Sequence, residues 1–234
     1  NCPCATCPSS GGGGGGGEEE CDNGAAGGAQ RLWDAPAIRA RSGGGNCEGW
    51  DPNTPIIISV RGNQLWLTDL EHGVRFDLDA DGFDEALSWT QQGVDDAFLV
   101  LDRNGNGQVD EGTELFGTFT PQPPSTNPNG FLALAVFDLA DNGGNRDGRI
   151  SAEDAIFESL QLWVDWNHNG FSEPNELRPL PATRIQAIHL DYRESRRRDQ
   201  HGNGFRYYSV IDMTPHQQGP RRKFAVDVFL LSDQ

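Results

Sequence analysis

The stretch Asp165-Trp-Asn167-His-Asn169-Gly170-Phe171-Ser172-Glu173-Pro-Asn-Glu176 decides how this chain is read. Oxygen-bearing side chains stand at its first, third, fifth and ninth places, with glycine at the sixth and glutamate at the twelfth. This spacing suits a hard divalent cation. Asp165, Asn167 and Asn169 point to one centre, Gly170 turns the chain sharply, and Phe171 offers its carbonyl. Glu173 adds an oxygen, and Glu176 closes the loop with both carboxylate oxygens. Ahead of it, Ile156, Phe157, Leu160 and Trp163 recur at helical spacing and predict a helix over about 152–163.

Three further segments repeat the pattern upstream. In Asp77-Leu-Asp79-Ala-Asp81-Gly82-Phe83-Asp-Glu85, the acids Asp77, Asp79 and Asp81, the Phe83 carbonyl and Glu85 are the candidate ligands, while Ser88 holds the twelfth place. Val74, Phe76 and Leu78 before it, and Leu87 and Trp89 after it, read as strands. The next is Asp102-Arg-Asn104-Gly-Asn106-Gly-Gln108-Val-Asp110, with Glu114 as closing acid one place late. It follows Ala97 to Leu101, a short apolar run like a buried strand. The last is irregular. Asn145, Asp147, the Arg149 carbonyl and Asp154 fit the third, fifth, seventh and twelfth places, but the first place falls on Gly143. Asp138 or Asp141 must then supply that oxygen across an insertion. Phe131 to Phe137 predicts a helix leading into it, and Ser151 with Asp154 reads as a capping box for the next helix. A single Asp/Asn/Gly string also makes ordinary turns. Four within 100 residues, each with glycine at the sixth place, point to two to four bound Ca2+ ions.

The charge lies in the same place. The 234 residues carry a net charge of −17, and residues 77–176 alone hold 20 acids against Arg103, Arg146 and Arg149. The rest of the chain balances. This excludes a nucleic-acid binder, which needs a clustered basic surface. No apolar run approaches the roughly 18 residues of a spanning helix, so the chain is not read as membrane-spanning. Six Trp and twelve Phe provide for a core.

Residues 1–50 form a separate Cys/Gly-rich N-terminal arm ahead of a module at 51–234. All five cysteines (Cys2, Cys4, Cys7, Cys21, Cys47) and the run Gly11 to Gly17 lie there. The chain starts at Asn1, so it reads as processed or trimmed. Cysteines confined to one arm read as disulfide staples of a secreted chain, with a metal knuckle at Cys4 and Cys7 as the alternative. Their odd number, and the glycine run, point to self-association through the arm. Downstream, Ile185 to Tyr192 and Phe205 to Ile211 flank Gln200-His-Gly-Asn-Gly204, a hairpin signal, and Phe224 to Leu231 alternates like a strand. Arg196-Arg-Arg198 and Arg221-Arg-Lys223 read as solvated turns, with docking on an acidic neighbour as the second reading. Lys223 is the only lysine.

Taken in order, Phe76-Asp-Leu-Asp-Ala-Asp-Gly82, Leu101-Asp-Arg-Asn-Gly-Asn-Gly107, Glu114-Leu-Phe-Gly117, Asn129-Gly-Phe-Leu-Ala-Leu-Ala135 and Leu162-Trp-Val-Asp-Trp-Asn-His-Asn-Gly170 carry a resemblance. They resemble the calcium-dependent self-processing module of bacterial repeat-in-toxin proteins and related secreted EF-hand-like calcium binders. The resemblance covers about Pro55 to Tyr192, more weakly to Phe229. It implies secretion, folding on calcium, and in toxin members cleavage of an Asp-Pro bond through attack of the Asp carboxylate on its own carbonyl. Here the proline that lines up, Pro55, follows Thr54, which cannot form that anhydride. The chain's one Asp-Pro bond is Asp51-Pro52. No residue is assigned a catalytic role.

The expected architecture is α+β: antiparallel strands and a few short helices organised around EF-hand-like calcium loops, with an extended N-terminal arm. The expected function is a secreted calcium-binding structural protein, cell-surface, adhesive or filament-forming. The alternative is calcium-dependent self-cleavage at Asp51-Pro52. A weaker third reading is a calcium-gated carbohydrate or surface binder.

Overall fold

The computed structural model describes residues 54–62, 64–214 and 223–233. The N-terminal arm, its cysteines and their pairing, Asp51-Pro52 and Arg221-Arg222 lie outside the described residues.

Three short strands carry the centre of the molecule: β1 (Ile56–Ser59), β4 (Asp96–Val100) and β6 (Gln161–Trp163). They are apolar at successive positions because both faces are covered. Ile56, Ile58, Ala97, Leu99 and Leu162 enter one core, while Ile57, Phe98, Val100 and Trp163 enter another on the opposite face. Side chains alternate across a strand, so a strand between two cores has no polar face. Each fully buried Ile, Leu or Phe stabilises the fold by about 1.5–3 kcal/mol.

Around this centre lie β5 (Arg149–Ser151), β7 (Leu177–Pro179), β8 (Ile185–His189), β9 (Arg193–Arg198), β10 (Gly204–Met213) and β11 (Lys223–Phe229). Pairing gives one nine-stranded sheet in the order β5-β8-β10-β11-β1-β4-β6-β7, with β9 also on β10. Every ladder in it is antiparallel. A separate hairpin, β2 (Val74–Phe76) with β3 (Glu85–Leu87), packs Val74, Phe76 and Leu87 into the second core. The single α-helix among the described residues, α1 (Gly130–Ala135), places Phe131, Ala133 and Leu134 in the first.

The α+β expectation is therefore corrected to a mainly antiparallel β fold, with no EF-hand helices among the described residues. The helix expected over 152–163 is a 3-10 turn, Ala155–Glu158, followed by β6. Its apolar residues mimicked helical spacing because Ile156, Phe157 and Leu162 reach one core while Trp163 reaches the other. The helix expected over 131–137 exists as α1 plus a 3-10 turn, Val136–Asp138. Arg196 to Arg198 is not a turn but part of the exposed strand β9. Lys223 is not solvated: it is buried, and its Nζ donates to the carbonyls of Ser59, Val60 and Gly62 at 2.9, 2.6 and 2.6 Å.

Helix α1 is docked through its first turn. Asn129 caps it, accepting from Phe131 and Leu132 amides at 3.0 Å each. Beneath it, Asp227 of β11 is fully buried and accepts from the Gly130 amide at 2.8 Å and the Thr54 hydroxyl at 3.2 Å. Its other oxygen has no partner. Burial pushes this carboxyl up to about 6. A raised folded value means stability that is complete below about pH 4 and lost as pH rises through about 6. Asp227→Asn removes the titration, so its melting temperature relative to the parent should climb steadily between pH 4 and 7 in saturating calcium. A constant difference across that range, measured by calorimetry, would contradict the assignment.

Candidate metal centre

Hairpins, not helix pairs, carry three of the four acidic loops. Loop one (77–85) joins β2 to β3, with Phe76 opposite Glu85. Loop two (102–114) lies between Val100 and Leu115, which face each other in an antiparallel bridge. Loop four (165–176) joins β6 to β7, with Trp163 opposite Leu177. Loop three (138–154) leaves the 3-10 turn after α1 and includes β5.

One backbone frame recurs in all four. The fourth-place residues Ala80, Gly105, Arg146 and His168 have φ of +59, +74, +62 and +61°. The sixth-place glycines Gly82, Gly107, Gly148 and Gly170 have φ of +92, +81, +83 and +75°. Ala80, Arg146 and His168 are the three non-glycine residues with positive φ among those described, in a region where side chains are uncommon. The first-place acid holds each loop by accepting the sixth-place amide: Gly82 to Asp77 at 2.9 Å, Gly107 to Asp102 at 2.9 Å, Gly148 to Asp138 at 3.0 Å and Gly170 to Asp165 at 2.9 Å. The third-place oxygens of Asp79, Asn104 and Asn145 accept the fifth-place amides. The fifth-place oxygens of Asp81, Asn106, Asp147 and Asn169 accept the amides of Phe83, Gln108, Arg149 and Phe171.

This frame settles two points that spacing left open. Asp138 takes the first place of loop three, accepting from both Asp147 and Gly148, whereas Asp141 is exposed on the 3-10 turn Ala140–Asn142. Glu85 makes in loop one the backbone hydrogen bond that the closing glutamates make in loops two and four. It is buried and accepts the second-place amide, Leu78, at 3.0 Å. Glu114 accepts Arg103 and Glu176 accepts Trp166 at the same place, each at 2.9 Å. Asp154 accepts Asn145 at 3.3 Å and Ser151 at 2.8 Å. Loop one returns early because β3 begins at Glu85, so the ninth residue arrives where the twelfth arrives in loop four.

Each loop thus sets a buried closing acid behind an exposed rim. Glu85, Glu114, Asp154 and Glu176 are all buried, as are the first-place acids Asp77, Asp138 and Asp165. Desolvation raises Asp77, Glu85, Glu114 and Glu176 above the usual carboxylate range. In loop one, oxygens of Asp77, Asp79, Asp81 and Glu85 all lie within 4.8 Å of one another, so these four residues can hold a metal ion. In loop two, Asp110 takes the amide hydrogens of Asn104 and Asn106 at 3.4 and 2.7 Å. In loop four, Glu173 takes those of Asn167 and Asn169 at 3.1 and 2.8 Å, and a hydrogen bond with the Glu176 carboxyl holds it below the usual carboxylate range. Clustered carboxylate and amide oxygens of this kind suit a hard, oxygen-seeking cation. Loop three differs: the Arg149 guanidinium sits 2.8 Å from Asp147, whose carboxyl it holds below the usual range.

Loops one, two and four share the second core. Trp89 donates its indole N–H to Asp165 at 2.9 Å, and Trp163 donates to Glu176 at 3.3 Å. These indoles belong to a cluster with Phe76 and Phe98, at centroid separations of 4.4 to 5.8 Å. His168 is half-buried, with its ring nitrogens 2.8 Å from the Thr90 and His72 carbonyl oxygens. Sequence reasoning missed these indoles, although their alternation with the loops was visible. It also missed Ser172, whose hydroxyl accepts the Val109 amide of loop two.

Loop two rests directly on loop one. Gly112 donates to the Asp77 carbonyl at 2.8 Å, and a β-carbon there would lie 1.7 Å from the Leu78 oxygen. Gly112→Ala should therefore cost about 3 kcal/mol or more, a fall in melting temperature of roughly 6 °C or beyond. Gly93→Ala, at φ +76° in open space, should cost only about 1–2 kcal/mol. Equal effects of the two would refute the contact's importance.

Residues 56–228 match the SPM domain family. The iron-regulated protein FrpA of Neisseria meningitidis serogroup C is 39% identical over 132 residues. That stretch is 56% of this chain and 11% of FrpA, so the chain spans only a small part of that protein's length. No helix among the described residues is long and apolar enough to cross a membrane. With most of its length inside the family match, and with the motifs that suggested the resemblance lying within it, the chain belongs to the SPM domain family.

Proposed function

We propose that this chain is a secreted calcium-binding structural module, part of a cell-surface, adhesive or filament-forming protein, whose fold depends on the cation. One observation carries the reading: four loops of one backbone frame, each holding a buried closing acid, with one arginine, Arg149, on a loop carboxylate at hydrogen-bonding distance among the described residues. The ligands are Asp77, Asp79, Asp81 and Glu85 with the Phe83 carbonyl; Asp102, Asn104, Asn106, Asp110 and Glu114 with the Gln108 carbonyl; Asp138, Asn145, Asp147 and Asp154 with the Arg149 carbonyl; and Asp165, Asn167, Asn169, Glu173 and Glu176 with the Phe171 carbonyl. Two to four ions fill them, loop three being the weakest because Arg149 competes for Asp147. The similarity to a segment of FrpA supports a secreted bacterial setting. Self-association through the arm, with its glycine run and odd cysteine count, belongs to the same reading.

The alternative, self-cleavage at Asp51-Pro52, draws its support from the SPM family match. The proline that lines up with the family's scissile bond follows Thr54, which is buried with its hydroxyl on Asp227 and Thr118 at 3.2 and 2.8 Å. A threonine offers no carboxylate for that attack.

Chelation tests the calcium reading. Residues 77–176 carry 20 acids against three bases, and without cations their repulsion opposes compaction. Removing calcium should lower the melting temperature and the β signal in circular dichroism. Each site filled a hundredfold above its dissociation constant adds about 2.7 kcal/mol. Trp163 fluorescence should change on loading, and Glu176→Gln should abolish that change and reduce the ion count in native mass spectrometry by one. Unchanged dichroism and melting in chelator would sink the proposal. Release of a fragment ending at Asp51 on calcium addition would establish the self-cleaving alternative.

A further inference from the structure

Loops two and four meet at equivalent places. Val109 is the eighth residue of loop two and Ser172 the eighth of loop four. Both are buried. The Val109 amide donates to Ser172 Oγ at 2.6 Å, and the same hydroxyl donates to the Val109 carbonyl at 3.2 Å. One side chain therefore satisfies both backbone groups of a residue 63 positions away, as a neighbouring strand would.

The position of this contact matters more than its strength. In each loop the eighth residue lies between two candidate ligands. Val109 stands between the Gln108 carbonyl and Asp110, and Ser172 between the Phe171 carbonyl and Glu173. Drawing Gln108 and Asp110 toward an ion must move Val109, and with it Ser172. Glu173 accepts the side-chain amides of Asn167 and Asn169 in the same loop, so a shift at residue 172 reaches the ligands of loop four directly. Loop four meets strand β2, which leads into loop one, differently, with a β-carbon at Gly170 falling 2.7 Å from the Arg75 oxygen. That contact is steric and links no eighth residue.

We propose that Ser172 is a positioning residue that couples cation binding in loops two and four, so that filling one raises the affinity of the other. The inference rests on the calcium reading of these loops. Coupling is reciprocal, and linked sites typically differ about fivefold or more between the empty-neighbour and filled-neighbour states.

The amide signals of Gly107 and Gly170 in proton–nitrogen NMR report each loop separately during a calcium titration of the full chain. Glu176→Gln disables loop four. In the parent background it should weaken filling of loop two, read at Gly107, about fivefold or more. In a Ser172→Ala background the same change should shift the Gly107 midpoint by less than about twofold. Ser172→Thr, which keeps the hydroxyl, should preserve the full shift. A serine with only a structural role would lower melting and both midpoints but leave the shift intact, and that outcome overturns the proposal. So does an unchanged Gly107 midpoint in Glu176→Gln with both parent loops binding, a comparison that stands even if Ser172→Ala fails to fold. Absence of any calcium response at both glycines would instead overturn the calcium reading itself.

Discussion

A carboxylate that accepts the amide of a glycine five residues on closes the chain into a loop so tight that its other acids must face inward together. Asp77, Asp102, Asp138 and Asp165 all do this. The bond satisfies a backbone donor, but it also gathers like charges, and in loop one four carboxylates lie within 4.8 Å of one another. Like charges at that range repel strongly where burial reduces screening. The rest of the molecule is organised around bearing that repulsion: the closing acids are sunk against the core, those of loops one, two and four are hydrogen-bonded to second-place amides, and all are left short of protein cations.

The sheet supplies the rigid support. Because β1, β4 and β6 are buried on both faces, their ends are fixed, and the loops that leave β4 and β6 inherit that precision. Hairpin flanks replace the helices that present such loops elsewhere. Their register decides which acid closes each loop, and it can recruit the ninth residue in loop one and the thirteenth in loop two. The indoles of Trp89 and Trp163 tie the acids of loop four to the aromatic cluster beneath. Acid geometry and core packing are one structure on this side of the sheet.

The four loops and their order were legible because oxygen-bearing residues at alternate places beside a sixth-place glycine dictate a tight loop of one backbone form. A turn at residues 199–203 and a strand after Lys223 were legible from turn residues and alternation, whereas the strand that pairs across that turn, β9, was not. Residues 152–163 misled because a strand sandwiched between two cores is apolar at successive positions, and short apolar runs fit a helix equally well. The arginines of β9 misled because an exposed strand that pairs through its backbone places no demand on its side chains.

By itself the sequence determined the composition of the loops, their order and their excess of negative charge, since these are properties of spacing along the chain. Tertiary structure alone decided that strands flank the loops, that Glu85 closes loop one and Asp138 opens loop three, and that Lys223 is buried under three carbonyls. It also decided that Ser172 bridges to Val109. Each of these depends on the register between distant segments. Register is set by which side chains fill the two cores, and that is a property of the assembled sheet rather than of any stretch of residues.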